Sequence, residues 1–234
     1  MADASGLRSV TRDTLRDRVY DGLRQTILAG ALAPGEALTV RGLAKTFGTS
    51  PTPVREALQQ LVAESALIAE PNRSYRVPQI SRASFLEIRD MRAELEGLAA
   101  EKAAPLIRPG EIRRLALAFD RMSKAIASQD VKAYLAINQS FHFIVYTASR
   151  SPILLRTISM LWMQIGPSLN MLFSDIELIE GLQEHHLAAV AAFRAQNATA
   201  ARQAIRNDIL AAGTHISQQI TADDGPSSGG QAGD

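Results

Sequence analysis

The sequence predicts a mostly α-helical protein in two parts: an N-terminal helix-turn-helix with a small β-hairpin, and a C-terminal all-α helical bundle. Two observations support this prediction. Between Thr39 and Pro78, a short helical pattern, a tight turn, a second helical pattern and a basic hairpin follow in order. After Ser81 the apolar residues have helical spacing, and no segment shows the period of two that marks a strand.

The first predicted helix covers residues 12–29. Its apolar residues recur at every fourth position and form one stripe, made of Leu15, Val19, Leu23 and Ile27. Gly30 can end this helix, and Pro34 with Gly35 predicts a turn.

Two further helices and a hairpin complete the N-terminal part. Thr39 is a suitable N-cap for a short helix over 40–47. Ser50 is the next N-cap, and Pro51 occupies the first position of a helix that runs to about residue 63, where a missing N–H has no cost. Residues 68–70 and 75–78 are expected to pair as a hairpin.

The C-terminal part is predicted to be helical throughout. The expected helices are 85–104, 111–128, 131–148, 152–173 with a kink at Gly166-Pro167, 180–195 and 198–220. The domain boundary is expected near Pro78–Ser81, which gives an N-terminal domain over 11–78 and a bundle over 79–221. Residues 1–10 and the Gly-rich tail 222–234 are predicted to be disordered.

The composition of the chain excludes several classes of protein. The chain has 234 residues, a formal net charge of +1 and no cysteine, so disulfides and thiolate metal sites are excluded. No apolar run approaches the ~20 residues of a membrane span, and no signal pattern begins the chain. These features predict a cytoplasmic protein. Because the net charge of the chain is small, any affinity for DNA must come from individual arginines that are positioned to contact it.

A helix-turn-helix with a hairpin is typical of a DNA-binding domain. One helix supports the other, the second helix enters the major groove, and the hairpin, or wing, contacts the DNA backbone. The motifs ILAGALAPGEAL, VRGLAKTFGTS and SPTPVREALQQL lie in this region. On these motifs, residues 14–78 resemble the winged helix-turn-helix domain of the GntR family of bacterial transcriptional regulators. The resemblance implies DNA contacts at Arg41, Ser50, Thr52, Arg55, Asn72 and Arg73.

The chemistry of these residue types agrees with that role. The guanidinium groups of Arg41 and Arg55 can bind guanine or phosphate, and Ser50 and Thr52 can hold phosphates at a helix N-terminus. The alternative for Arg55 is a surface ion pair with Glu56 or Glu64.

A possible metal site lies in the bundle. Asn138 and His142 are four residues apart and share one helix face, His186 lies in an apolar stripe, and Asp208 lies on the last helix. These nitrogen and oxygen donors would suit zinc, nickel, manganese or iron. The alternative is that the histidines are ordinary hydrogen-bonded core residues.

The motifs RDMRAELEGLAA, NQSFH and EHHLAAVAAFRAQNATAARQAIRND resemble the FCD ligand-binding domain of the FadR-type branch of the same family. This resemblance implies a divalent metal held by Asn138, His142 and His186, with Asp208 where the family usually has histidine. His185 is the alternative to His186. The same resemblance implies that Arg92 faces a carboxylate effector. The alternative for Arg92 is an intrahelical ion pair with Glu96.

The sequence therefore predicts a homodimeric, effector-responsive transcription regulator that binds operator DNA, acts more often as a repressor and is not an enzyme. Two other classes remain open. One is a helical-bundle metalloenzyme that uses the four donor residues, although no Glu-x-x-His repeat is present. The other is a constitutive DNA-binding protein whose bundle only dimerises.

Overall fold

The computed structural model describes residues 14–71, 74–174 and 176–220, without the side chains of residues 173–178. The two predicted tails, 1–10 and 222–234, lie outside the described residues. The N-terminal elements are α1 (Leu15–Leu28), β1 (Ala37–Thr39), α2 (Val40–Thr46), α3 (Pro51–Ala63), β2 (Ile68–Glu70) and β3 (Ser74–Arg76). The bundle contains α4 (Arg82–Ala103), α5 (Pro109–Ala127), α6 (Val131–Ala148), α7 (Pro152–Ile165), a 3-10 helix (Gly166–Ser174), α8 (Ile176–Arg194) and α9 (Ala198–Gln219). The predicted fold class is confirmed.

The N-terminal helices pack as their apolar patterns predict. Val19, Leu23 and Ile27 of α1 are buried and α1 packs on α3, whereas Leu15, at the start of the stripe, is exposed. Thr39 caps α2 by accepting a hydrogen bond from the Gly42 amide, as expected. The tight turn between α2 and α3 therefore presents the first turn of α3 to solvent.

The wing is a three-stranded antiparallel sheet in the order β1-β3-β2, with Ala37 and Ile68 both opposite Arg76. The prediction of a two-stranded hairpin missed β1, because three residues are too few to show an alternating pattern. Arg76 holds the sheet together: its Nε lies 2.5 Å from Glu70 Oε1, and its Nη1 donates to the Gly35 carbonyl at 2.6 Å. This arginine therefore has a structural role within the wing.

In the bundle, α4 and α9 pack along each other. Arg202 and Arg206 of α9 form ion pairs with Glu94 of α4 at 2.7 and 2.9 Å. No described helix combines the length and the hydropathy that crossing a membrane would require.

The prediction of one kinked helix over 152–173 was wrong in its second half, because α7 ends at Ile165 and the chain continues as a 3-10 helix. Pro167 has no N–H to continue the α-helical bonding. The 3-10 helix contacts the end of α1: a Cβ at Gly166 would lie 2.5 Å from the Ile27 carbonyl oxygen. Asn170 also donates its amide to the Gly30 carbonyl. The two parts of the chain are therefore joined through backbone as well as side chains.

We predict that Gly166→Ala destabilises this junction. Gly166 has a helical backbone (φ −47°, ψ −46°), so alanine fits locally, and any loss must come from the contact with Ile27. The expected loss in the free energy of unfolding is about 1–3 kcal/mol, measured by thermal denaturation.

Gly181→Ala is the matched control for that experiment, because Gly181 lies in α8 and a methyl group added there would meet no atom within 4 Å. This control should be neutral or stabilised by up to about 1 kcal/mol. Equal effects of the two substitutions would contradict a close backbone junction.

Candidate functional site

The first turn of α3 carries exposed polar groups. Ser50 is the N-cap, but its side chain makes no capping hydrogen bond to the described helix, and Thr52 is exposed beside it. Arg41 of α2 is exposed on the same helix-turn-helix unit. The hydroxyl of Ser50 and the guanidinium of Arg41 are thus available to an external ligand.

Arg55 is half-buried one turn further along α3. Its Nε is buried without a hydrogen-bond partner, and within the described part of the chain it forms no ion pair with Glu56 or Glu64. Glu64 instead accepts a hydrogen bond from Tyr20 at 2.8 Å. Burial, together with Glu64, raises the pKa of Tyr20 to about 12, so this hydroxyl keeps its proton. Asn72 and Arg73, the predicted wing contacts, lie outside the described residues.

In the bundle, the four predicted donor residues come together. Asn138 and His142 of α6, His186 of α8 and Asp208 of α9 are all buried. The distance between His142 Nε2 and Asp208 Oδ2 is 3.2 Å, and His186 Nε2 lies 3.0 Å from Asn138 Oδ1 and 3.7 Å from Asp208 Oδ1. Single donor atoms of the two histidines and Asp208 all lie within 4.8 Å of one another. His185, the alternative, is only half-buried and lies outside this cluster.

A second layer of polar residues surrounds the cluster, and the sequence reasoning missed most of it. Glu96 is fully buried and accepts hydrogen bonds from the Tyr146 hydroxyl, from Trp162 Nε1 at 2.9 Å and from Arg92 Nε at 2.5 Å. The Tyr146 oxygen lies 2.9 Å from His142 Nδ1. The available signal was spacing, since Tyr146 follows His142 by four residues.

This layer fixes the orientation of the His142 ring. Tyr146 has one proton, which it donates to the Glu96 carboxylate, so its oxygen accepts the Nδ1 proton of His142. Nε2 is then the nitrogen of His142 that faces Asp208 Oδ2. Two lone pairs at 3.2 Å repel, so a proton or a metal ion is needed between these atoms.

The charges in the cluster are shifted by burial and by one another. Burial lowers the pKa of His186 to about 4, against the opposing effect of Asp208. Burial alone would raise the pKa of Asp208, but His186 and then His142 lower it to about 2. At neutral pH the site thus holds a neutral His186 and an ionised carboxylate. Asp208 Oδ1 has no hydrogen-bond donor within the described residues, which leaves a buried anionic oxygen unsatisfied.

The cluster lies beside a small cavity of about 20 Å³. Its walls combine charged residues with an apolar surface that includes Trp162, Leu169 and Leu182. Arg92 lies on one wall with its guanidinium 4.4 Å from the centre of the Trp162 ring. Its Nε and Nη2 bind Glu96, and Nη1 makes no hydrogen bond within the described chain. Arg92 therefore pairs with Glu96 and lies on the cavity wall at the same time.

The comparisons with known proteins agree with this arrangement. The family model described as "Bacterial regulatory proteins, gntR family" matches residues 15–77, and the FCD domain model matches residues 87–211. The chain belongs to the GntR family of bacterial transcriptional regulators and carries an FCD domain. GntR regulators bind DNA, and FCD domains bind small-molecule effectors and often a metal.

Relatives and solved structures extend the match over most of the chain. The Escherichia coli (strain K12) HTH-type transcriptional regulator McbR is 32% identical over 80% of this chain and 86% of its own length. A Paenarthrobacter nicotinovorans protein named "Probable D-xylose utilization operon transcriptional repressor" is 30% identical over 89% of this chain and 91% of its own. The solved structure of E. coli McbR/YncC superposes with a TM-score of 0.84 at 28% identity, covering 89% of this chain and 99% of that one.

We predict that Glu96→Gln lowers the free energy of unfolding by about 3–5 kcal/mol, because it leaves the buried Arg92 guanidinium without a counter-charge. Urea denaturation measures this change.

The control is Glu94→Gln on the same helix, where the carboxylate is half-exposed in its pairs with Arg202 and Arg206. Its loss should be far smaller than that of Glu96→Gln, because solvent screens an exposed ion pair. Similar losses for the two variants would argue against a buried network organised by Glu96.

Proposed function

We propose that this protein is a homodimeric, cytoplasmic transcription repressor that reads operator DNA with α3 and responds to a small carboxylate bound in the bundle. The observation that carries the proposal is the exposed first turn of α3, where the Ser50 side chain makes no capping hydrogen bond and Arg55 Nε has no partner among the described residues. Residues 11–78 would form the reading domain, and residues 79–221 would bind the effector and dimerise.

The DNA contacts follow from chemistry at the α3 surface. Arg55 and Arg41 would bind guanine edges or phosphates, while Ser50 and Thr52 would hold phosphates at the helix N-terminus. Asn72 and Arg73 in the wing tip complete the proposed interface. A twofold pair of such domains would read a pseudo-palindromic operator.

A divalent ion would occupy the donor cluster. Asn138, His142, His186 and Asp208 would hold it. Asp208 Oδ1, which has no hydrogen-bond donor among the described residues, and His142 Nε2, which faces Asp208, support this fit. Zinc, nickel, manganese and iron suit two imidazoles with oxygen donors. The ion would supply positive charge to an incoming carboxylate, and Nη1 of Arg92, which does not bind Glu96, would supply hydrogen bonds.

The 3-10 helix provides a route from the effector to the reading domain. Leu169 lines the cavity, and the neighbouring Asn170 binds the Gly30 carbonyl at the end of α1. An effector that displaces this segment would move α1, and with it α3. Regulation then requires that the effector binds one arrangement of the reading domains better than the other.

We predict that Arg55→Ala weakens specific DNA binding by about 1–3 kcal/mol, because a two-bond guanidinium contact is lost. The duplex is first selected from a random pool with the wild-type protein, and affinities are then measured by fluorescence anisotropy at fixed salt. Arg113→Ala, an exposed arginine on α5, is the charge-matched control and should bind as wild type does. Wild-type affinity in Arg55→Ala would refute the assigned role of this residue.

We predict that His142→Ala and His186→Ala each remove a bound divalent metal, because each deletes one donor from a small buried set. Elemental analysis of the dialysed proteins provides the measurement. His185→Ala, which alters the adjacent residue outside the cluster, should retain the wild-type metal content. Retention of full metal by both cluster variants would rule out the proposed site.

A further inference from the structure

Arg89 lines the same cavity one turn before Arg92 on α4. Its side chain crosses Gly213 of α9 closely: a Cβ at Gly213 would lie 2.5 Å from Arg89 Cδ and 2.6 Å from Cγ. A side chain at position 213 would force this aliphatic stem to move. The packing of α4 on α9 therefore holds Arg89 at the cavity wall, with 19% of its side chain exposed.

The two arginines of the cavity differ in how firmly their charges are paired. Arg92 is paired with the fully buried Glu96 in the network described above. Arg89 is paired at 2.7 Å with Asp90, the next residue, whose side chain is 62% exposed. An exposed pair of this kind contributes little free energy, so the Arg89 guanidinium can exchange Asp90 for another anion at small cost.

We propose that Arg89 determines effector specificity by binding a second acidic group, so that the preferred effector is a small dicarboxylate. This inference rests on the proposed function. One carboxylate faces the donor cluster and Arg92, and the other takes the place of Asp90 on Arg89. The cavity of about 20 Å³ has room for little more than a water molecule, so an entering ligand must displace a lining side chain. Of Arg89 and Arg92, Arg89 has the more exposed and therefore weaker ion pair, so its side chain moves more easily.

The test is isothermal titration of the full chain, loaded in turn with Zn²⁺, Ni²⁺ or Mn²⁺. The probes are mono- and dicarboxylates matched in length: butanoate with butanedioate, pentanoate with pentanedioate, and hexanoate with hexanedioate. We expect one dicarboxylate to bind at least about tenfold tighter than its matched monocarboxylate, since hydrogen bonds to charged groups have this magnitude.

Three variants locate the source of that preference. Arg89→Gln keeps the stem over Gly213 but removes the charge, so it should lose the dicarboxylate preference and keep monocarboxylate affinity within about twofold. Arg89→Lys should keep part of the preference. Asp90→Asn removes the competing anion and should bind the dicarboxylate more tightly than the wild type does, a gain that a purely structural role of Arg89 would not produce.

The outcomes separate the two proposals. Equal affinity of the wild type for both classes, or an unchanged preference in Arg89→Gln, overturns the role of Arg89 and leaves the proposed function standing. Failure of the metal-loaded wild type to bind any of the six acids overturns the carboxylate effector itself, and the inference about Arg89 with it.

Discussion

The bundle depends on one electrostatic constraint: the Asp208 carboxylate is buried and ionised, and it needs positive charge beside it. An unpaired buried carboxylate is among the most costly groups that a protein interior can hold. Here the nearest groups are the imidazoles of His142 and His186, and the neutral His186 offers no permanent charge. The hydrogen bonds from Tyr146 to Glu96 and from His142 Nδ1 to Tyr146 prepare the site further, because they turn Nε2 of His142 toward Asp208.

That constraint connects most of the helices of the bundle. The donor residues come from α6, α8 and α9, and the supporting residues Glu96 and Trp162 come from α4 and α7. The chain leaves α7 directly into the 3-10 helix, where Gly166 and Asn170 contact the end of α1. Whatever completes the cluster therefore acts on residues that are covalently continuous with the junction to the DNA-binding domain. Such a connection can carry a two-state response, although contact alone does not set its size.

Local sequence patterns predicted the helices well, whereas contacts between residues far apart in the sequence could not be predicted. The α1 stripe through Val19 and Ile27 and the cap at Thr39 could be read directly. Strand β1 could not, since three residues carry no period and its pairing partner lies about forty residues away. For Arg92, the spacing of four residues predicted an ion pair with Glu96, and the family resemblance implied a position facing the effector cavity. In the structure Arg92 pairs with Glu96 and also lines the cavity. The contact between Trp162 and Glu96 joins residues 66 positions apart, so no local motif could reveal it.

The most direct test of the buried charge is the melting temperature of the purified protein after chelation and after titration with zinc, nickel, manganese or iron(II). An ion that binds only the folded state at a hundred times its dissociation constant stabilises the fold by about 2.7 kcal/mol. We expect at least one of these ions to raise the melting temperature by several degrees, and Asp208→Asn to abolish the rise. A melting temperature that no ion changes would contradict the claim that the buried carboxylate awaits a cation.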